Sequence, residues 1–130
     1  MSNHYDQTEI EETLFQMVKR AAISQNIFRG MRPDTTNTKM LDFVVVKVTG
    51  RIYDRAAYGE TVCSIDLYAR NISGMKNGKK LSEMFRKVDS LLPRAEGKLR
   101  LSEPTIVADA PDNYGFTTRL ININTLIKTV

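Results

Sequence analysis

Asp42, Asp54, Glu60 and Asp66 fall around one predicted hairpin, and carboxylates gathered at a hairpin end are the ligand set with which a nuclease holds a divalent cation. Asp42 and Asp54 equally suit the strand ends and turns where a short acidic side chain bonds its own backbone. The chain has one cysteine, Cys63, and one histidine, His4. That leaves no intrachain disulfide, no cysteine-rich zinc site and no triad with a central histidine. Cys63 alternates with apolar neighbours, the pattern of a small core residue, and no base beside it in sequence lowers its pKa. His4 belongs to an N-terminal arm, where a lone imidazole meets solvent. The sequence therefore assigns no catalytic residue, no metal ligand and no cofactor.

Anion chemistry is better represented. Gly74-Met75-Lys76-Asn77-Gly78-Lys79-Lys80 leads into a predicted helix, whose free amides favour anions, but it lacks the Gly-Lys-Ser or Gly-Lys-Thr of a phosphate loop and reads as a flexible basic turn. Lys76, Lys79, Lys80, Arg86 and Lys87 together make a basic ridge that suits phosphates without reading bases. The formal charge is +4 and the pI about 9.3, yet the distribution says more. Met1 to Glu12 carries four acids and no Lys or Arg, whereas Arg70 to Arg100 carries nine Lys and Arg against three acids. Such polarity suits head-to-tail self-association or a basic surface near nucleic acid. No aromatic cluster of the kind that stacks single-stranded bases is legible.

These residues need a scaffold. A chain of 130 residues with 42% apolar and 26% charged positions reads as a single domain, 1–130, with a flexible arm over 1–7. No apolar run approaches the roughly 20 residues of a membrane span. Thr8 and Glu11 form a capping box opening a helix from Thr8 to Ile23, with Ile10, Leu14, Met17, Val18, Ala21 and Ala22 on one stripe. Pro33 and Gly30 make Ile27 to Pro33 extended, and Asp34, Thr35, Thr36, Asn37, Thr38 and Lys39 form a mobile loop suited to ordering on assembly. Period-2 alternation predicts strands over Asp42 to Tyr53 and Glu60 to Arg70, paired as an antiparallel hairpin. A second helix runs from Lys79 to Leu92 and ends at Pro93. Beyond a polar linker at Arg94 to Gly97 come a strand from Lys98 to Ala108, interrupted by Pro104, and another from Phe116 to Ile127. The expected class is α+β: a mostly antiparallel sheet of four or five strands, two helices on one face, order α-β-β-β-α-β-β.

At Ile27-Phe28-Arg29-Gly30-Met31-Arg32-Pro33, followed by a polar loop and Asp42-Phe43-Val44-Val45-Val46, the sequence resembles the tail-completion and tail-terminator proteins of long-tailed bacteriophages and prophages. The shared order of elements covers Thr8 to Ile127. The resemblance implies a non-enzymatic virion protein, made in the bacterial host cytoplasm. Its place would be the head-proximal end of the tail or the neck, as a hexameric ring. Its partners would be copies of itself, tail-tube and head–tail connector proteins and, weakly and without sequence preference, DNA; no membrane is implied. Lys76, Lys79, Lys80, Arg86 and Lys87 would face the lumen or DNA, and Asp34 to Lys39 would form an assembly loop. Two other classes remain open on residues alone. One is a small nucleic-acid-binding or regulatory module using the 76–100 surface; the other is an acid-pair nuclease dependent on Mg²⁺ or Mn²⁺.

Overall fold

The protein is described by a computed structural model covering residues 5–129, so His4 lies outside the described residues. The first helix, α1 (Gln7–Ala21), begins one residue before the predicted cap. Asp6 is the N-cap, its side chain accepting the Thr8 amide at 2.8 Å. Asp6 takes this position because an acid preceding the helix satisfies a free amide and suits the positive end of the dipole. Glu11, released from the expected capping box, accepts instead from the Val48 amide at 3.4 Å. The helix ends at Ala22, whose φ of 55° is left-handed.

Eight strands form one mixed sheet. They are β1 (Ile27–Arg29), β2 (Asp42–Val48), β3 (Tyr53–Asp54), β4 (Tyr58–Arg70), β5 (Arg94–Glu96), β6 (Leu99–Leu101), β7 (Thr105–Pro111) and β8 (Phe116–Lys128), with α2 (Gly78–Leu91) between β4 and β5. The main path is β1-β2-β4-β8-β6-β5; β3 pairs with β4, and β7 with β8. The expected α+β domain of four or five strands in the order α-β-β-β-α-β-β is thus corrected to a mixed α/β arrangement of eight strands and two helices.

The differences have local causes. The long strand predicted to reach Tyr53 stops at Val48, because the amides of Thr49 and Gly50 both donate to the Val62 carbonyl, at 2.9 and 3.2 Å, and break the ladder. Pro104 splits the predicted 98–108 strand into β6 and β7. Arg94–Glu96, expected as a linker, pairs with Leu99–Leu101 as a short hairpin. β1 runs parallel to β2, with Ile27 opposite Val44.

The alternation of side chains gives the sheet two cores. Val44 and Val46, Ile65, Leu67 and Ala69, and Ile121, Ile123 and Ile127 pack beneath both helices, against Leu14, Met17 and Val18 of α1 and Leu81, Met84 and Val88 of α2. Burying such side chains contributes roughly 1.5–3 kcal/mol each. A smaller cluster, Phe43, Val45, Tyr68 and Phe116 with Phe28 and Met40, lies on the helix-free face. At the start of β4, Gly59 lies against the Tyr5 ring: a Cβ there would come within 2.8 Å of it, so the ring would have to shift.

Candidate assembly surface

The register brings three chain segments to one end of the sheet. Asp42 opens β2 opposite Ala69, and Arg70 closes β4 opposite Phe116, the first residue of β8. Backbone bonds tie the connecting loops together: Arg70 donates to the Leu41 carbonyl at 2.9 Å and Asn71 to the Gly115 carbonyl at 2.8 Å. Ile72 and Met75 exchange a further pair at 2.8 and 2.9 Å. Thr117 Oγ1 donates to Asn71 Oδ1 at 2.7 Å. From this tied platform four large apolar side chains project into solvent: Leu41, Ile72, Met75 and Tyr114, exposed by 69%, 62%, 73% and 64%. Apolar side chains gathered on a soluble surface mark contact sites more often than singly scattered ones.

Behind the platform stands the Arg32-Pro33 pair. The Arg32 guanidinium contacts Asp112 Oδ2 through Nη2 at 2.8 Å and Nε at 3.1 Å, and donates to Thr35 Oγ1 and the Pro33 carbonyl. Its carbon lies 4.6 Å from the Tyr114 ring centre and 5.5 Å from that of Phe43. Phe43 in turn stacks on Tyr68 at 4.2 Å and meets Phe116 edge-on at 5.1 Å. Arg70 sits 4.6 Å over Phe116 and donates to the carbonyls of Met40 and Thr38 at 2.9 and 3.3 Å. Two arginines therefore clasp the segment leading into β2, using charge-assisted bonds and ring faces at once. Burial, the largest influence on Tyr68, raises its phenol pKa, opposed by a hydrogen bond with Thr118.

The predicted assembly loop lies inside this clasp. Asp34 accepts from the amide and hydroxyl of Thr36, which lowers its carboxyl pKa. Thr35 is buried, Thr38 half-buried, and Asn37 and Lys39 are exposed. Arg32 and Arg70 both bond this stretch, through the Thr35 hydroxyl and the Thr38 carbonyl.

The basic ridge is divided. Lys76 pairs with Asp109 at 3.0 Å, Lys80 with Asp42 at 3.5 Å, and Lys87 donates to the Ala22 carbonyl at 3.0 Å. Lys79 and Arg86 are exposed. Lys80 and Lys87 meet Lys39 around a polar hollow of about 410 Å³. Asp109 is itself held by Arg119, at 2.8 and 2.9 Å, which lowers the carboxyl pKa and raises that of the guanidinium.

The four carboxylates do not converge. Asp42 bonds Ser24 and Lys80, Asp54 accepts the Ala56 amide, Glu60 pairs with Arg55, and Asp66 is buried beside Lys47 at 3.1 Å with Ser64 donating to it. Among the described residues no group of three or more His, Cys, Asp or Glu could hold a metal ion. Cys63 is fully buried, and burial pushes its thiol up to about 11. No helix among the described residues is long and apolar enough to cross a membrane.

Sequence reasoning missed the platform and the aromatic cluster. Arg32-Pro33 was visible as a motif, but its acid partner is 80 residues away. The available signal was apolar residues, Leu41, Ile72 and Met75, standing in turn-forming stretches that have no use for them.

No family profile matches the sequence, and no curated protein matches it. The fold, however, recurs among solved structures. One chain from the virion of a native gene transfer agent particle superposes with a TM-score of 0.54 at 5% identity, covering 95% of this chain and 92% of that one. A second solved chain gives a TM-score of 0.53 at 11% identity, over 95% of this chain and 93% of that one. At such identities the likeness is one of fold.

Proposed function

We propose that this chain is a non-enzymatic structural protein of a phage or phage-like virion, assembling as a hexameric ring at the head-proximal end of the tail or at the head–tail junction. The observation that carries the reading is the near full-length fold likeness to a chain of a gene transfer agent virion, 95% of this chain on 92% of that one. The apolar platform on tied loops supports it, because a subunit that works by fitting against neighbours needs apolar surface held in a defined shape. Tail-tube and connector proteins are the partners such a subunit takes, and the segment 34–39 contributes to the contact. The experiment is to incubate the protein with purified tail tubes and image them. Decoration confined to one tube end supports the reading; random decoration or none counts against it.

A second reading, a nucleic-acid-binding module, draws on Lys39, Lys80 and Lys87 around one polar hollow. It predicts binding to duplex DNA that weakens steeply between about 50 and 200 mM salt. Since Lys76, Lys80 and Lys87 already have protein partners, fewer phosphate contacts are free than the ridge promised.

A further inference from the structure

The apolar platform does not stand alone. Leu41, one of its four projecting side chains, also lines the polar hollow of about 410 Å³, so platform and hollow form one continuous surface. The charged lining of the hollow is Lys39, Lys80 and Lys87 against Asp42. Asp42 answers Lys80, and Lys87 reaches only a neutral acceptor, the Ala22 carbonyl at the end of α1. Lys39 and Lys79 are exposed and make no ion pair among the described residues. The other acids near this surface are engaged: Asp34 by Thr36, Asp109 by Arg119 and Lys76, and Asp112 by Arg32. Glu83 stands one turn from Lys79 and one from Lys87 along α2 and is not part of the hollow's lining. α2 opens with Lys79 and Lys80 and has no acid in its first turn. A helix start favours acids, so here the positive end of the dipole adds to the lysines instead of being cancelled.

We propose that this surface binds a segment of a different protein in which carboxylates stand beside apolar side chains. The apolar groups seat on Leu41, Ile72, Met75 and Tyr114, and a carboxylate enters the hollow between Lys39 and Lys87. The inference deepens the virion reading and rests on it only for where the partner is found. Positive charge around the hollow and along the start of α2 attracts an acidic partner and repels a basic one. Leu41, Ile72 and Met75 gain nothing from a phosphate backbone, so an apolar platform beside the lysines favours an acidic peptide over a nucleic acid. A second copy does not supply the required acids. The same surface on a copy would set lysine against lysine, and the larger hollow at the start of α1, about 790 Å³, mixes Asp6, Glu9 and Glu12 with Arg29, Lys98 and Lys128. The backbone bonds between the loops hold the platform in shape before any partner arrives, so binding orders little of this chain.

The test selects binders from a display library of random peptides of about 12 residues on the immobilised full chain, and measures the winning peptides by fluorescence anisotropy. Winners are expected to join Asp or Glu to Leu, Ile, Met or aromatic residues. Their affinity should fall by about tenfold or more in a Lys39→Glu, Lys87→Glu double variant and in a Leu41→Ser, Met75→Ser double variant. It should not change in Leu126→Ser, at the other end of β8. All five side chains are exposed, so the variants keep the fold, and an unchanged urea midpoint verifies it. Basic or neutral winners, no winners, or winners that bind the double variants as well as wild type overturn the proposal. A short DNA duplex that binds more tightly than any peptide and ignores Leu41→Ser, Met75→Ser overturns it too. Tail tubes separate the two ideas. Wild type and the lysine double variant capping tube ends equally well, with no acidic peptide selected, sinks this surface and spares the virion reading. Acidic peptides lost in the double variants of a chain that ignores tube ends do the reverse.

Discussion

Arg32 shows how one side chain can organise a surface. It holds Asp112 through two nitrogens, bonds Thr35, and lies against Tyr114 and Phe43. Removing it leaves a mostly buried carboxylate without its counter-charge, so Arg32→Ala is expected to cost about 2–4 kcal/mol in urea unfolding and to expose the 34–39 segment to protease. Arg32→Lys restores charge without the planar fork and recovers only part of the loss. Cys63 gives a pH-dependent test. Above the ordinary value of 9.0 the unfolded thiol loses its proton, while the folded thiol keeps it until about 11. The folded state then holds the extra proton, so this contribution is intact below pH 9 and declines as pH rises from 9 to 11, reaching roughly 2 kcal/mol. The slope of stability against pH over that window should flatten in Cys63→Ala, and iodoacetamide at pH 8 should label wild type only after denaturation.

Among the elements, α1 distinguishes its true cap from the apparent one. Asp6→Ala is expected to cost about 1 kcal/mol and Thr8→Ala close to nothing, read by thermal or urea unfolding; equal losses would restore the Thr8 capping box. β8 offers a parallel contrast within one strand. Ile123 is fully buried beneath the helices and Leu126 is 43% exposed on the opposite face. Ile123→Ala should cost about 2–5 kcal/mol, and Leu126→Ala well under 1 kcal/mol. The legible parts of the fold were those long enough to show a period: both helices and the strands containing Val44, Ile65 and Ile123. β5, three residues long, completes no period and was read as a linker, while Tyr53 of the two-residue β3 was read into the strand before it. The parallel pairing of β1 was hidden for another reason, since three residues carry nothing that distinguishes parallel from antiparallel neighbours.

At the scale of the molecule, the sequence exposed the charge asymmetry but not what the asymmetry surrounds. The acidic start of α1 proves to line a groove shared with Arg29, Lys98 and Lys128, and the basic entry to α2 flanks an apolar platform. Both surfaces are assembled from distant segments, which single-sequence patterning does not connect. Leu41, Ile72 and Tyr114 become neighbours only through bonds such as Asn71 to Gly115. The carboxylates illustrate the converse, because residues close in sequence were distributed by alternation to different faces and different partners. The proposed virion role is tested most directly on particles themselves. Particles released by cells that encode this chain can be purified by density, washed in high salt and analysed by quantitative mass spectrometry. The chain should stay with the particles at a constant copy number close to that of one ring, whereas recovery only in the soluble lysate would show that it is not part of the virion.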